Sequence, residues 1–307
     1  MSMPRIAAIE NLVAQFIAQR LIRCTSLIVT LFGDVVSQHG GVIWLGSMVE
    51  ALSLLGVDER LVRTSTFRLV QEGWLQSARS GRRSFYRFTD YGRHEYERAA
   101  RRIYALEHPR WDGSWTLLLP VAVPEEARER FRRSVRWAGF GSFAPNVFAH
   151  PGSDNSALTG MLSELGLIDK VVVMQAGSDA LQSDRLIREL LWENWDLEDL
   201  AANYQQFLHR FRGVARAIAR ARTLAPEQCF KVRLLLIHEY RRILLHDTDL
   251  PAELLPKKWP GSEARQLAVE LYRRLAPGSE RYIIETLQAV ERPMPASGDA
   301  FGLRFGN

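Results

Sequence analysis

The sequence predicts an α+β protein in three successive parts. These are a winged helix-turn-helix over residues 1–106, a ferredoxin-like α/β domain over 107–179 and a helical domain over 180–307. Three observations predict it. Helical periodicities in the first hundred residues lead into two short strand-like runs around a glycine. A strand-helix-strand-helix-strand succession follows. Apolar residues then recur at helical spacing almost to the end.

The first part opens with Ile6, Ile9, Val13, Phe16 and Arg20, which step by three and four and predict an amphipathic helix. A second helix is expected from Ser26 to Gln38, stopped by Gly40-Gly41, and the short strand Val42-Ile43-Trp44 follows. A third helix, Gly46 to Leu55, closes at Gly56. Asp58 is a good N-cap for a fourth, Glu59 to Glu72, stopped by Gly73. On a wheel of 100° per residue, Val62, Thr66, Leu69 and Val70 share an inward face. Arg60, Thr64, Arg68 and Gln71 lie opposite, flanked by Arg63 and Phe67. Arg63 is equally suited to anchoring the next hairpin, and Phe67 to the core. A helix joined to its predecessor by a tight turn, with an arginine-rich outer face, fits a DNA-recognition helix, because arginine reads guanine bidentately.

Trp74 to Ser77 and Ser84 to Phe88 have strand character, and between them stands Ala78-Arg79-Ser80-Gly81-Arg82-Arg83. Gly81 supplies the positive φ of a hairpin tip. A hairpin after such a helix is a wing, and Arg79, Arg82 and Arg83 suit phosphates or a minor groove. Thr89-Asp90 caps a further helix, Tyr91 to Leu106.

The charge distribution agrees. Residues 1–102 hold 14 Arg and no Lys against 9 acidic residues, while the remainder balances 26 basic with 26 acidic groups. The whole net charge of +5 thus sits in the first third, the footprint of an anionic partner. A GC-rich genome explains 36 Arg against 4 Lys, but not the asymmetry. The bland alternative is a protein-interaction module with a solvated basic face. Hydrophobic residues at 47% and charged at 24% are ordinary for a folded domain. Cys24 and Cys229 match no metal spacing and suit buried thiols in a reducing compartment. The start lacks a signal-type sequence, and Thr30, Gly33 and Asp34 interrupt the longest apolar run, so a cytoplasmic protein without membrane spans is expected.

In the central part, Trp115 to Val121 is the expected first strand, and Pro124 opens a helix to Trp137. Phe143 to Ala149 is a strand that Pro145 can split. Asn155 to Leu165 is a helix, and Lys170 to Gln175 a strand with Val171 to Met174 as core. Gly139-Phe140-Gly141-Ser142-Phe143-Ala144 fits a dinucleotide fingerprint only in letters, since it follows a helix and precedes Pro145.

In the last part, helices are expected across Ser183 to Thr223, Glu227 to Leu245, Ser262 to Leu275 and Ser279 to Val290, with a frayed end after Arg292. Between them, Asp249 to Gly261 is a stiff loop with three prolines. His238-Glu239 resembles a zinc-protease start, but the second ligand position is Arg242, so His238 is expected as a satisfied helix histidine. There is no G-x-S-x-G, no Walker loop and no Cys-His pair, which argues against a hydrolase carrying a DNA-binding domain.

Several stretches together resemble a known family. "SLIVTLFGDVV", "GGVIWLGSMVEAL", "VRTSTFRLVQEGWL" and "GRRSFYRFT" resemble the N-terminal domain of the PaaX repressors of phenylacetic acid catabolism. "WDGSWTLLLP" resembles their central domain, related to a small CRISPR-associated nuclease fold, and "HEYRRILLHDTDLPAELLPKKWPG" their C-terminal domain. The resemblance implies a homodimeric repressor bound to double-stranded operator DNA and released by phenylacetyl-CoA, with no cofactor. A different aryl-CoA or an activating role fits the same fold. The related nucleases place an Asp at the end of the first strand; here Asp112 precedes it and Pro120 ends it, so no nuclease activity is expected. A CoA thioester calls for cations and aromatic walls, and Tyr240, Arg241, Arg242, Lys257, Lys258 and Trp259 are the expected effector set. Equally, that cluster merely holds the proline-rich loop on its helix.

Overall fold

Helix α1 (Ala7–Ile17) buries Ile9, Leu12, Val13 and Phe16, the three-and-four stripe of the sequence. The structure, a computed structural model, describes residues 6–18, 23–105, 111–152, 155–177, 184–290, 293–302 and 304–306. Arg20, Leu106, Ser183 and Arg292, expected element ends, lie outside the described residues.

The second expected helix divides into α2 (Cys24–Asp34) and a 3-10 turn, Val36–Gln38. The cause is competition for carbonyls. The Gly33 and Asp34 oxygens accept from the Arg304 guanidinium at 2.7 and 2.8 Å, and Asp34 O also accepts from Arg233 Nη2 at 2.9 Å. The Gln38 amide therefore turns to Val35 O at 3.0 Å, and the α-helical ladder stops.

Strand β1 (Ile43–Trp44) leads to α3 (Leu45–Ser53) and, past Gly56 at φ +75°, to α4 (Glu59–Gln71). Asp58 caps α4 by accepting from the Leu61 amide at 2.9 Å. The hairpin β2 (Leu75–Ser80) and β3 (Arg83–Phe88) follows, and the antiparallel sheet runs β1-β3-β2. Its register pairs Ser80 with Arg83 at the tip and Trp44 with Phe85. Helix α5 (Asp90–Ile103) starts where Thr89 Oγ1 accepts from Gly92 N at 3.0 Å.

The central elements are β4 (Ser114–Leu119), α6 (Glu125–Trp137), β5 (Gly141–Ala144), β6 (Val147–His150), α7 (Asn155–Glu164) and β7 (Val172–Gly177). The sheet order β5-β6-β4-β7, all antiparallel, is that of a split βαβ unit. Pro145-Asn146 splits the expected 143–149 strand, with Asn146 at φ +60°. Leu118, Phe131, Val135, Phe140, Leu158, Leu162 and Val171 form the core. One expectation is corrected here. Only Val171 of the run Val171 to Met174 is buried; Val172, Val173 and Met174 are 43, 43 and 51% exposed. They lie on an edge strand, where an unbroken apolar run does not imply burial on both faces.

Helices α8 (Asp184–Asn194), α9 (Leu197–Arg220), α10 (Pro226–Leu244), α11 (Pro260–Thr286) and α12 (Asp299–Gly302) complete the chain. The two helices expected at 262–275 and 279–290 are one: α11 continues through Pro277. Packing against α10 carries it across, with Gly278 so close that a Cβ there would stand 2.5 Å from Cys229 Sγ. The described residues after 292 are not frayed either. Met294 and Phe305 are buried, His39 Nδ1 lies 2.7 Å from Pro295 O, and the Phe305 amide donates to Tyr104 O at 3.3 Å.

The chain forms two compact units, residues 1–106, 204–245 and 260–307 in one, and 107–203 with 246–259 in the other. The span 180–307, expected as one domain, is divided between them.

Candidate nucleic-acid interface

The site is built on α4 in the first unit. Val62, Ser65, Thr66 and Leu69 are buried, and Thr66 Oγ1 donates to Val62 O at 2.7 Å, so this side of the helix is fixed. The other side presents Arg60, Arg63, Thr64, Phe67, Arg68 and Gln71 to solvent in one continuous row. Arg60 makes no ion pair among the described residues. Arg63 reaches Glu59 at 2.6 Å and Arg68 reaches Glu72 at 2.7 Å, both one helical turn away. Such exposed pairs are worth only about 0–1 kcal/mol, so either guanidinium can turn to an outside acceptor at small cost. Thr64 Oγ1 is engaged with the carbonyl oxygens of Arg60 and Leu61 at 2.9 and 3.1 Å.

Phe67 settles the alternative that the wheel left open. It is 66% exposed, in the middle of the polar row. An apolar side chain held out between arginines has little to gain from water and is suited to a thymine methyl. The signal lay in the wheel itself, which puts Phe67 about 140° from Val62.

The three hairpin arginines do not share one role. Arg79 and Arg82 are exposed and make no ion pair among the described residues. Arg83 is held in place: its guanidinium lies 4.7 Å from the centre of the Trp44 ring, and Nη1 donates to Gln288 Oε1 at 3.3 Å. It anchors the hairpin to β1 and to the segment just after α11, the alternative role expected for Arg63.

The six expected effector residues fall in both units. In the first, Tyr240 is 1% exposed and stacks at 5.6 Å on Phe207, and Arg241 is buried and donates to Ser26 Oγ at 3.1 Å. Arg242 is half-exposed and pairs with Glu239 at 3.2 Å. In the second, Trp259 is buried, while Lys257 and Lys258 are exposed. Tyr240 and Arg241 are packing residues, because helical periodicity on α10 places them inward, and Trp259 is buried in the proline-rich loop of the second unit.

His238 is likewise structural. Burial, then the charges of Arg242 and Arg241, lower its pKa to about 3, and Nδ1 lies 3.3 Å from Thr30 Oγ1. Among the described residues no group of His, Cys, Asp and Glu could hold a metal ion. Asp112 accepts from the Ser114 amide and hydroxyl at 2.9 and 2.6 Å, the local turn that starts β4.

Three family models match the chain in order: PaaX-like protein over residues 23–92, PaaX protein central Cas2-like domain over 108–187, and PaaX-like protein C-terminal domain over 195–285. The chain belongs to the PaaX-like family. It is 40% identical over 283 residues to the transcriptional repressor PaaX of Escherichia coli (strain K12), covering 92% of this chain and 90% of that protein. It also has the fold of the uncharacterized protein Rv0674 from Mycobacterium tuberculosis, with a TM-score of 0.50, 22% identity, and coverage of 76% of this chain and 90% of that one. The N-terminal PaaX-like match contains α4 and the whole hairpin, and the central match contains the four-stranded sheet. No helix among the described residues is long and apolar enough to cross a membrane.

Proposed function

We propose that the protein is a homodimeric, cytoplasmic transcriptional repressor, released from double-stranded operator DNA by phenylacetyl-CoA, that controls genes of aromatic-acid catabolism. In this reading α2, α3, α4 and the β2–β3 hairpin are a winged helix. The observation that carries it is the exposed row on α4, where Arg60, Arg63, Thr64 and Arg68 stand around Phe67 with no packing role. The repressor name of the Escherichia coli relative supports the regulatory half. Two copies would set two α4 helices in successive major grooves, ~34 Å apart. Arg79 and Arg82 then neutralise phosphate, and Arg83 keeps the wing on its sheet.

The effector must bind the DNA-incompetent state more tightly than the bound one. With Tyr240, Arg241 and Trp259 buried, only Arg242, Lys257 and Lys258 of the expected set face solvent.

The test is a titration of the protein on DNA from upstream of its own gene, with phenylacetyl-CoA, phenylacetate and CoA, followed by anisotropy. Release by the thioester alone is the expected result. DNA binding that none of them disturbs would assign the effector role to another aryl-CoA, and no DNA binding would overturn the reading. In the same assay Arg79→Ala with Arg82→Ala should weaken binding to all sequences. The slope of log K against log salt should fall by about 0.9 per lost phosphate contact. An unchanged slope would remove the hairpin from the interface.

A further inference from the structure

A concavity of the first unit that carries several arginines lies away from the recognition row. A cavity of about 960 Å³ opens between the end of α2, the turn after it, α5 and the chain's last residues. Its walls include the rings of Phe88, Tyr96 and Tyr104. Beneath them Arg304 stacks 4.2 Å over the Tyr104 ring, with its guanidinium on Asp34 Oδ1 at 3.0 Å. Arg93, Arg101 and His94 stand at the rim, against one rim carboxylate, Glu97. Arg93 is held only by the exposed Asp90, and Arg101 makes no ion pair among the described residues. The mouth therefore presents two exposed guanidiniums, one of them already paired with Asp90, and the walls are aromatic.

A second cavity, of about 630 Å³ in the other unit, makes the contrast. Trp192, Leu197, Leu254 and Pro256 wall it, and its Arg188 stands with Glu189 and Glu193, so it does not favour an anion.

We propose that the first cavity binds a phosphorylated aromatic molecule: a nucleotide, or the nucleotide end of an acyl-CoA. Ring faces stack the base, and the rim guanidiniums take phosphate by charge-assisted hydrogen bonds. A pocket of this volume accommodates a nucleotide-sized ligand. Occupancy has a direct route to the DNA-binding surface. Gly33 and Asp34 form the last turn of α2, both carbonyls bind Arg304, and α2 packs on α4. A phosphate reaching Arg304 competes with Asp34 for it and loosens the clamp that ends α2. In its acyl-CoA form the inference rests on the effector reading above; as a nucleotide site it stands alone.

The experiment is calorimetric titration of the full-length protein with adenosine 3′,5′-bisphosphate, phenyl phosphate and inorganic phosphate. It is repeated on Arg93→Ala/Arg101→Ala, whose exposed positions leave the fold intact, as a thermal melt checks. Adenosine bisphosphate should bind the wild type best and lose about tenfold or more in the variant, the effect of charge-assisted contacts. Equal binding by inorganic phosphate would reduce the site to a charge patch and overturn the proposal, as would unchanged binding by the variant. Phenylacetyl-CoA release of DNA, run on both proteins, separates the two readings. If it releases both equally, the repressor reading stands and the acyl-CoA form of this site falls. If it releases neither while the nucleotide still binds the wild type selectively, the site stands and the effector reading falls. Selective loss of release in the variant joins the two.

Discussion

Asp34 is the residue on which the first unit's polar core turns. Its side chain is fully buried and accepts from Arg233 Nε at 2.9 Å, Arg304 Nη1 at 3.0 Å, Tyr104 OH at 2.7 Å and Tyr272 OH at 3.0 Å. Glu280 supports the other side of Arg233 at 2.8 Å. Both arginines are held charged: burial works against the charge, and Asp34, the tyrosines and, for Arg233, Glu280 outweigh it. Removing one partner of such a set leaves an uncompensated buried charge, at a cost of about 3–5 kcal/mol. Asp34→Asn should lower stability by that order in chemical denaturation, and a loss below about 1 kcal/mol would mean that the two guanidiniums find other acceptors. The sequence marks Asp34 only as a break in an apolar run. Its partners Arg233 and Arg304 are 199 and 270 positions away, and no periodicity links them. The same holds for the cavity beside it, whose floor residue Arg304 lies in a tail that composition alone marks as frayed.

Elements shaped by neighbours in sequence are legible; elements decided by packing are not. Helix α4 carries its own N-cap, its own inward stripe and its own glycine stop, and the hairpin carries its own turn residue, so both stand where the sequence puts them. Helix α11 does not follow its local signal, because a proline and a glycine at 277–278 mark an end that α10 overrides. Gly278 is there for contact. A Cβ would meet Cys229 Sγ at 2.5 Å and Cβ at 3.0 Å, so Gly278→Ala should destabilise by about 1–3 kcal/mol through overpacking. In a Cys229→Ala background the 2.5 Å contact with Sγ is gone and only the 3.0 Å contact with Cβ remains, and alanine's helix preference, worth about 0.5–1 kcal/mol over glycine, offsets part of that, so the same change should cost clearly less. A four-protein denaturation cycle reads this coupling directly. Equal cost in both backgrounds would place the glycine's role in the backbone rather than in the α10–α11 contact. Cys229 itself is a packing thiol, with burial raising its pKa to about 11.

At the scale of the whole molecule, the sequence reads as contiguous domains, yet the first unit gathers segments from both ends of the chain. Its cohesion therefore rests on contacts such as His238 with Thr30 and Glu280 with His39, and these titrate. His238 has its pKa lowered to about 3, first by burial and then by Arg242 and Arg241. Between pH 6.5 and 3 the unfolded chain binds a proton that the folded chain refuses. The neutral histidine's stabilising share is thus complete above pH 6.5 and is lost as pH falls. Glu280 adds to this lower down. Burial raises its pKa, but the His39 hydrogen bond and the Arg233 charge prevail and bring it to about 2, so its share is complete above about pH 4.5 and is lost toward pH 2. Both groups act in one direction. Stability should hold level above pH 6.5, fall by about 2 kcal/mol by pH 5 on the histidine alone, and fall more steeply below pH 4.5. Urea midpoints from pH 4 to 8 give the curve, and His238→Gln should flatten only its upper limb. A variant that keeps the full slope between pH 6.5 and 5 would show that His238 accepts its proton without opening the fold, and so that the α2–α10 contact is not what acid breaks first.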